Sequence, residues 1–424
     1  MVKRIDSQDW RRSRRRRGSR RSPIRAVVAL AVVAVIIVVV VTLASAPGTK
    51  PKARSISATR RPSLSQGSGS PPWTWEVWLA DAERQVRGQP GHLAPGSDPS
   101  VLPGPVLIAD RNNSRLLLVD QWGRILWQFP EPGNLRPGQS FLRPDDAFFG
   151  TRGAHILVTQ ESDMVISEIS LRTGHIVWRY GNPGVSGSAP GYLSNPDDAM
   201  LLPNGNVITA DIKNCRLLYL TKGSVVPLHV YGTTTPYCYH DPPTRFGSPN
   251  GMFPMTNGDW LVTEINGDWV DEMTPSGAIE WSVHPPGISY PSDTNEVSPG
   301  VYLTASYTKP GVVEEFNQAG QVLWRYSPTG LNALDQPSLA LPLPNGDVLI
   351  NDDWNDRVIV VDPRTDQVVW QYGVTGSPGS SPGYLYKPDG VDLAPPHSLD
   401  MVNARTMGIP PYPSPTPPVT PSGA

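Results

Sequence analysis

Residues 203–220 read Pro-Asn-Gly-Asn-Val-Ile-Thr-Ala-Asp-Ile-Lys-Asn-Cys-Arg-Leu-Leu-Tyr-Leu: an Asn-Gly turn, an apolar run closing on Asp211, and a second apolar run opening on Arg216. Asn-Gly between apolar runs is a hairpin signal, because both residues tolerate the positive φ that a two-residue turn needs. The spacing Asp-x-x-Asn-x-Arg that joins the runs is not unique. It recurs at Asp110/Asn113/Arg115 after Val106 to Ala109, and at Asp352/Asn355/Arg357 after Val348 to Asn351. Weaker versions follow runs that end at Gln160, Glu264 and Ser306, which makes six repeats. An aromatic position recurs downstream at Trp127, Trp178, His229, Trp281, Trp324 and Trp370, at intervals of 43 to 52 residues. Short strands repeated at that period predict propeller blades.

Each repeat has the order of a four-stranded blade, so the expected fold is all-β: a six-bladed β-propeller over 105–396. Asn-Gly recurs between first and second strands at Asn204-Gly205, Asn257-Gly258 and Asn345-Gly346. First strands begin at Pro144, Pro196, Pro249, Pro291, Pro337 and Pro388. The last of these, Pro388-Asp-Gly-Val-Asp-Leu, has no strands after it, whereas the first blade, Val106 to Phe129, lacks a first strand. The C-terminal strand is therefore expected to insert there and close the ring, which removes exposed sheet edges.

The pattern of a strand-opening Pro, a Gly turn, an apolar strand ending in Asp and an Asn-x-Arg turn resembles the NHL repeat family, with blades one, three and six carrying it best. Asp362-Pro-Arg-Thr-Asp-Gln-Val-Val-Trp370 and Ser170-Leu-Arg-Thr-Gly-His-Ile-Val-Trp178 are similar to the repeats of quinoprotein-type propellers, some of which bind pyrroloquinoline quinone. Those enzymes normally use eight blades, and six repeats argue against the quinone. Both resemblances imply architecture, which by itself does not fix an activity.

Outside the ring, Ala26 to Ala46 is free of charge and follows a tail, residues 1–25, holding eleven Lys or Arg. A 21-residue apolar span at about 1.5 Å per residue covers roughly 30 Å of hydrocarbon. Five basic residues follow it soon after (Lys50, Lys52, Arg54, Arg60, Arg61), so the N-terminus is expected in the cytoplasm and the propeller outside, anchored by a single pass in the cell membrane. Ala44-Ser45-Ala46 also has the small-x-small form of a signal-peptide cleavage site. Without residues 1–46 the chain carries 25 basic and 36 acidic side chains, net −11. Nucleic acid, which needs a positive footprint, is not an expected partner; a small-molecule or cell-envelope ligand is. Residues 47–104 read as a Pro/Gly/Ser-rich linker with a short helix over 73–86, and residues 397–424 as a Pro-rich tail. Trp73, Trp75 and Trp78 need cover, against the ring or on the membrane.

Cys215 and Cys238 both fall in the third repeat, in loops that emerge on one face of a propeller. In an oxidising compartment they are expected to form a disulfide. On that face also lie Asp145, Asp146, Asp197, Asp198, Asn250, Asp293, Asn295 and Asp389 at the starts of the innermost strands. These oxygen ligands suit a hard cation, Ca2+ above all, with Asp146, Asp198 and Asp293 as the metal set, or a cationic or hydroxylated ligand. An Asp after Pro also serves as a turn cap. The fourth repeat departs most from the pattern. Its loops are expected to bring His240, Asp241, Arg245, Glu264, Asp268, His284, Tyr290 and Asp293 to one side. His240, His284, Arg245 and Glu264 could act as a catalytic His with carboxylate and Arg support, and Asp241, Asp268, Tyr290, Asn250 and Asn295 as ligand contacts. Arylsulfotransferases, six-bladed propellers with a His nucleophile, are faintly similar in this respect. Two functions follow: an exterior binding module that presents an acidic, loop-rich face, or a transferase or hydrolase of small esters, including lactones, centred on the His/carboxylate cluster.

Overall fold

The computed structural model describes residues 73–150 and 153–395. The basic tail, the apolar span Ala26 to Ala46, the linker up to residue 72 and the Pro-rich tail lie outside the described residues. Among the described residues no helix is long and apolar enough to cross a membrane.

Six antiparallel four-stranded sheets form the molecule. Blade 1 contains β1 (Val106–Asp110), β2 (Arg115–Val119) and β3 (Ile125–Phe129), and blade 2 contains β4 (Ala147–Phe149), β5 (His155–Gln160), β6 (Val165–Ser170) and β7 (His175–Gly181). Blade 3 is β8 (Pro196–Leu201), β9 (Val207–Asp211), β10 (Arg216–Leu220) and β11 (His229–Tyr231); blade 4 is β12 (Pro249–Pro254), β13 (Trp260–Glu264), β14 (Trp269–Met273) and β15 (Ile279–Val283). Blade 5 runs β16 (Pro291–Ser298), β17 (Val301–Ser306), β18 (Val312–Asn317) and β19 (Val322–Tyr326), and blade 6 runs β20 (Pro337–Pro342), β21 (Val348–Asp352), β22 (Arg357–Asp362) and β23 (Gln367–Gly373). The last strand, β24 (Gly390–Leu393), pairs with β1, Val106 facing Leu393 and Ile108 facing Val391. The innermost strands touch in chain order round the axis, and β24 meets β4. The C-terminal strand thus closes the ring.

The Asp-x-x-Asn-x-Arg turns are built alike. In blade 3 one oxygen of buried Asp211 accepts from Asn214 Nδ2 and Arg216 Nε, both at 2.8 Å, and the other accepts from the backbone N–H of Ser194 at 2.7 Å. Asp110 and Asp352 repeat this with Asn113, Arg115 and Tyr386 N–H, and with Asn355, Arg357 and Asp335 N–H. Each Asp so ties its own turn to the incoming inter-blade loop, and the repeated spacing is a structural rivet. The recurring Trp residues latch neighbouring blades: the indole N–H donates to Gln318 O from Trp281, to Asp366 Oδ1 from Trp324 and to Gln121 O from Trp370.

Helix α1 (Trp75–Val86) is capped by Thr74, whose hydroxyl accepts from Val77 N–H, and it packs on β3. Trp75 is buried edge-on against Phe149 and donates to Pro395 O. Residues 91–98 run beside β23, with Ala94 and Asp98 N–H donating to Gln371 and Val369. The short helix expected over 73–86 is present, with its tryptophans covered by the ring, whereas composition made 90–104 look like free linker. Its Leu side chains find apolar cover on the ring instead, which outweighs the entropy of its Pro and Gly.

Candidate functional site

Three positions per blade converge on the axis at the face where inter-blade loops and second-to-third-strand turns emerge. The residue before each first-strand Pro has positive φ in all six blades: Arg143, Asn195, Ser248, Tyr290, Gln336 and Lys387. The residue just past each second strand is Arg111, Glu161, Ile212, Ile265, Tyr307 or Asp353, and all six line one axial cavity of about 490 Å³. The residues after the Pro complete it, with Asp145, Asp197, Asn250, Ser292 and Asp389 in the wall. Every blade contributes, so the cavity exists only in the closed ring.

One residue further along these strands, behind the cavity lining, a bulge shapes a buried floor. In blade 3 Pro196 pairs with Asp211 and Ala199 with Thr209, so Asp197 and Asp198 together oppose Ala210. Blade 5 has the same irregularity between Pro291 and Thr294, which frees Ser292 and Asp293 from strand alternation. Asp146, Asp198 and Asp293 are each at most 3% exposed. Blades 1 and 4 place glycine at the matching position: a Cβ on Gly251 would stand 2.7 Å from Asp293 Oδ1, and one on Gly390 2.7 Å from Asp146 Oδ1. Two blades give up a side chain where three present carboxylates. Asp146 Oδ1, Asp198 Oδ1, both oxygens of Asp293 and the nearby Thr263 hydroxyl are buried and receive no well-aligned hydrogen bond, while the carboxyls of Asp198 and Asp293, and those of Asp146 and Asp197, stand close enough to share a proton. Burial pushes Asp198 up to about 7. Burial, then the charge of Asp198, raises Asp146 and Asp293 well above the usual carboxylate range.

Above this floor the charges are partly balanced. Arg111 pairs with Asp145, Asp389 and Glu161, the last at 2.6 Å. Burial pushes Asp389 up, but Arg111 and neighbouring hydrogen bonds outweigh it and hold that carboxyl below its ordinary value. The opposite wall is aromatic: Tyr290 lies 5.5 Å from Tyr307, Trp354 Nε1–H donates to Tyr307 Oη, and the Lys387 ammonium sits 3.0 Å over the Trp354 ring.

A second cluster lies in blade 4 and the loop before it. Glu264 occupies the place of the rivet Asp and keeps one of its bonds, accepting from Gly247 N–H at 2.5 Å. The Asn and Arg partners are absent. Asp271, two residues beyond Trp269, is fully buried beside Glu264, and His240 Nδ1 stands 3.2 Å from Glu264 Oε2 and 3.8 Å from Asp271 Oδ2. The His240 imidazole stacks on Trp269 at 4.0 Å, with His284 on the same indole at 3.5 Å. Burial raises Glu264 to about 7, and burial with the charge of Glu264 raises Asp271 to about 8. Burial lowers His240, with Asp271 and Asp241 opposing.

Of the residues singled out from sequence, Asp146, Asp198 and Asp293 meet at the axis, and Asn250 and Tyr290 line the cavity above them. His240 and Glu264 meet in blade 4, with His284 set apart by Trp269. Arg245 pairs with Asp241 at 3.0 Å and lies over Tyr239, away from the imidazole cluster. Asp268 accepts from Tyr290 N–H, and Asn295 donates to Ala340 O within the strand layer. Cys215 and Cys238 are joined in a disulfide. Arg111, Glu161, Tyr307 and Asp353 were not anticipated, although one rule, the residue following each second strand, finds all four. Asp271 was missed as well. Its signal is an acidic residue where the equivalent third-strand positions of blades 1, 3 and 6 carry Leu117, Leu218 and Ile359.

No family model matches the chain, and no curated protein does. Among solved structures it is similar to a protein of unknown function from Bacteroides caccae (17% identity, 68% of this chain and 98% of that one, TM-score 0.48). It is also similar to a streptogramin B lyase (15%, 72% and 90%, 0.45) and to a catalytically inactive virginiamycin B lyase from Staphylococcus aureus with quinupristin (16%, 55% and 71%, 0.40). The chain is a six-bladed β-propeller by its own strand order.

Proposed function

We propose that this protein is a binding module whose axial cavity takes a small hydroxylated ligand with the help of a divalent cation, Ca2+ in preference. The observation that carries the reading is the cluster of buried carboxyls of Asp146, Asp198 and Asp293 beside Thr263, just behind the cavity lining, where no N–H reaches Asp146 Oδ1, Asp198 Oδ1 or either oxygen of Asp293. Buried carboxylates without partners are unfavourable as anions. A hard cation bound by oxygen atoms alone removes that penalty, and six to eight oxygen ligands at about 2.4 Å is the coordination Ca2+ takes. Ligand hydroxyls would complete the shell from the cavity side, between the aromatic wall of Tyr290, Tyr307 and Trp354 and the carboxylates of Asp145, Asp197 and Asp389.

We place the module outside the cell, anchored by residues 26–46. The Cys215–Cys238 disulfide supports an oxidising compartment. Protease added to intact cells should degrade the propeller and spare the tail; full protection would overturn the placement.

Saturation-transfer NMR on the full-length protein tests the ligand class, with methyl glycosides and polyamines as probes. The reading predicts transfer to a glycoside that needs Ca2+, stops with EDTA and weakens in Tyr307→Ala. Transfer to polyamines that Ca2+ suppresses would make the cavity a cationic-ligand site instead, and no transfer to either class would contradict binding of small molecules there.

A further inference from the structure

Each of the other five blades places an arginine guanidinium in the layer just under the second-to-third-strand turn. Blades 1, 3 and 6 do so from the first residue of the third strand, with Arg115 on Asp110, Arg216 on Asp211 and Arg357 on Asp352. Blades 2 and 5 do so from the outermost strand, with Arg179 bonded to Ser167 and Arg325 paired with Glu314. The register is shared: Ser167 faces Arg179 and Glu314 faces Arg325, just as Asp271 faces Ser282. In blade 4 the first source is Trp269 and the second is Ser282, so neither supplies a cation. This blade nevertheless buries two carboxylates, Glu264 and Asp271, both fully inaccessible. Glu264 Oε1, both oxygens of Asp271 and Nδ1 of His240 lack a well-aligned hydrogen bond, and the polar neighbours of Asp271 are the Glu264 carboxyl and the Ser282 hydroxyl, neither of them a cation.

We infer that blade 4 holds a first-row divalent metal of the zinc class, ligated by His240, Glu264 and Asp271, in the layer where the other blades hold a guanidinium. One ligand atom from each of the three residues lies within 4.8 Å of the others. An imidazole nitrogen among carboxylate oxygens favours Zn2+, Co2+ or Mn2+ over Ca2+ or Mg2+. Three protein ligands leave a coordination position open, and His240, one-fifth exposed, marks the side from which solvent reaches it. The loop that carries His240 is held in place: Cys238 is bonded to Cys215, and Asn266 Nδ2 donates to Cys238 O at 3.0 Å. Trp269 fixes the imidazole plane by stacking and separates His284 from the ion. This site is independent of the axial one and differs from it in donor set.

Cobalt is the probe. Full-length protein stripped with a chelator is titrated with Co2+ while the visible ligand-field absorption is followed, then challenged with Zn2+. The inference predicts a band that saturates at one ion per chain and is displaced by Zn2+ but not by Ca2+. His240→Ala and Asp271→Asn should each abolish it. Asp198→Asn, at the axis, should leave it intact, and circular dichroism of all three variants reports whether they fold. No band in the wild type would overturn the inference and identify His240 as a counter-charge to the two carboxylates. A band unchanged in His240→Ala would overturn it too, since the ion would then sit elsewhere.

Discussion

Asp352 and Glu264 sit at matching ends of second strands, yet their surroundings give them opposite roles. Asp352 is neutralised by Arg357, itself almost fully buried, and accepts three hydrogen bonds. Arg357→Met leaves that carboxylate buried and unpaired, a change that costs about 3–5 kcal/mol; urea unfolding of the variant should show it, and a loss below about 1 kcal/mol would refute the rivet. Glu264 has no cation in blade 4. In chelator-treated protein Glu264→Gln therefore should raise the melting temperature or leave it unchanged, because the amide oxygen still accepts from Gly247 N–H and the uncompensated charge is gone. A large destabilisation would mean that Glu264 is already neutralised by a partner such as protonated His240.

At the scale of elements, the loop from β11 to β12 is tied to the turn between β9 and β10 by a disulfide whose cysteines are 23 residues apart in sequence. Closing a loop of that size contributes about 3 kcal/mol by restricting the unfolded chain. Cys215→Ser with Cys238→Ser should lower stability by about that amount and loosen the loop that presents His240; hydrogen exchange confined to residues 232–247 would register the second effect, and unchanged exchange there would oppose it. Strand order, the Asn-Gly hairpins and ring closure were legible because each is local: turn chemistry and run length set a blade without reference to its neighbours. The axial carboxylates were legible as positions after Pro. The bulge that turns Asp197 and Asp198 inward together was not, since it depends on pairing register with β9. The fourth repeat advertised its departure through the missing Asn and Arg, but that turn pattern ends before Asp271, which lies inside β14. The need of Trp73, Trp75 and Trp78 for cover was legible, with the ring as one of two candidates, but the packing of residues 91–98 beside β23 was not, because Pro and Gly content reports chain stiffness and no contact surface.

For the whole molecule, the ring concentrates charge that water would otherwise solvate. Burial raises Asp198 to about 7 and Asp392 to about 8, against an unfolded value near 4. Between those values the folded state holds protons that the unfolded state has released, so the cation-free protein should lose stability as pH rises from about 4 to about 8. Saturating Ca2+ favours the ionised axial carboxylates and should flatten the part of the slope that Asp198 contributes; a slope indifferent to Ca2+ would place the titration elsewhere. The central claim is the cation at the axis. Metal analysis of the full-length protein, coupled to thermal unfolding with EDTA and with added Ca2+, tests it most directly. The expected result is a bound ion whose removal lowers the melting temperature by several degrees, with Ca2+ restoring about 2.7 kcal/mol at one hundred times its Kd, and neither effect in Asp146→Asn with Asp198→Asn. A wild-type protein that carries no ion and melts identically in EDTA and Ca2+ would contradict it.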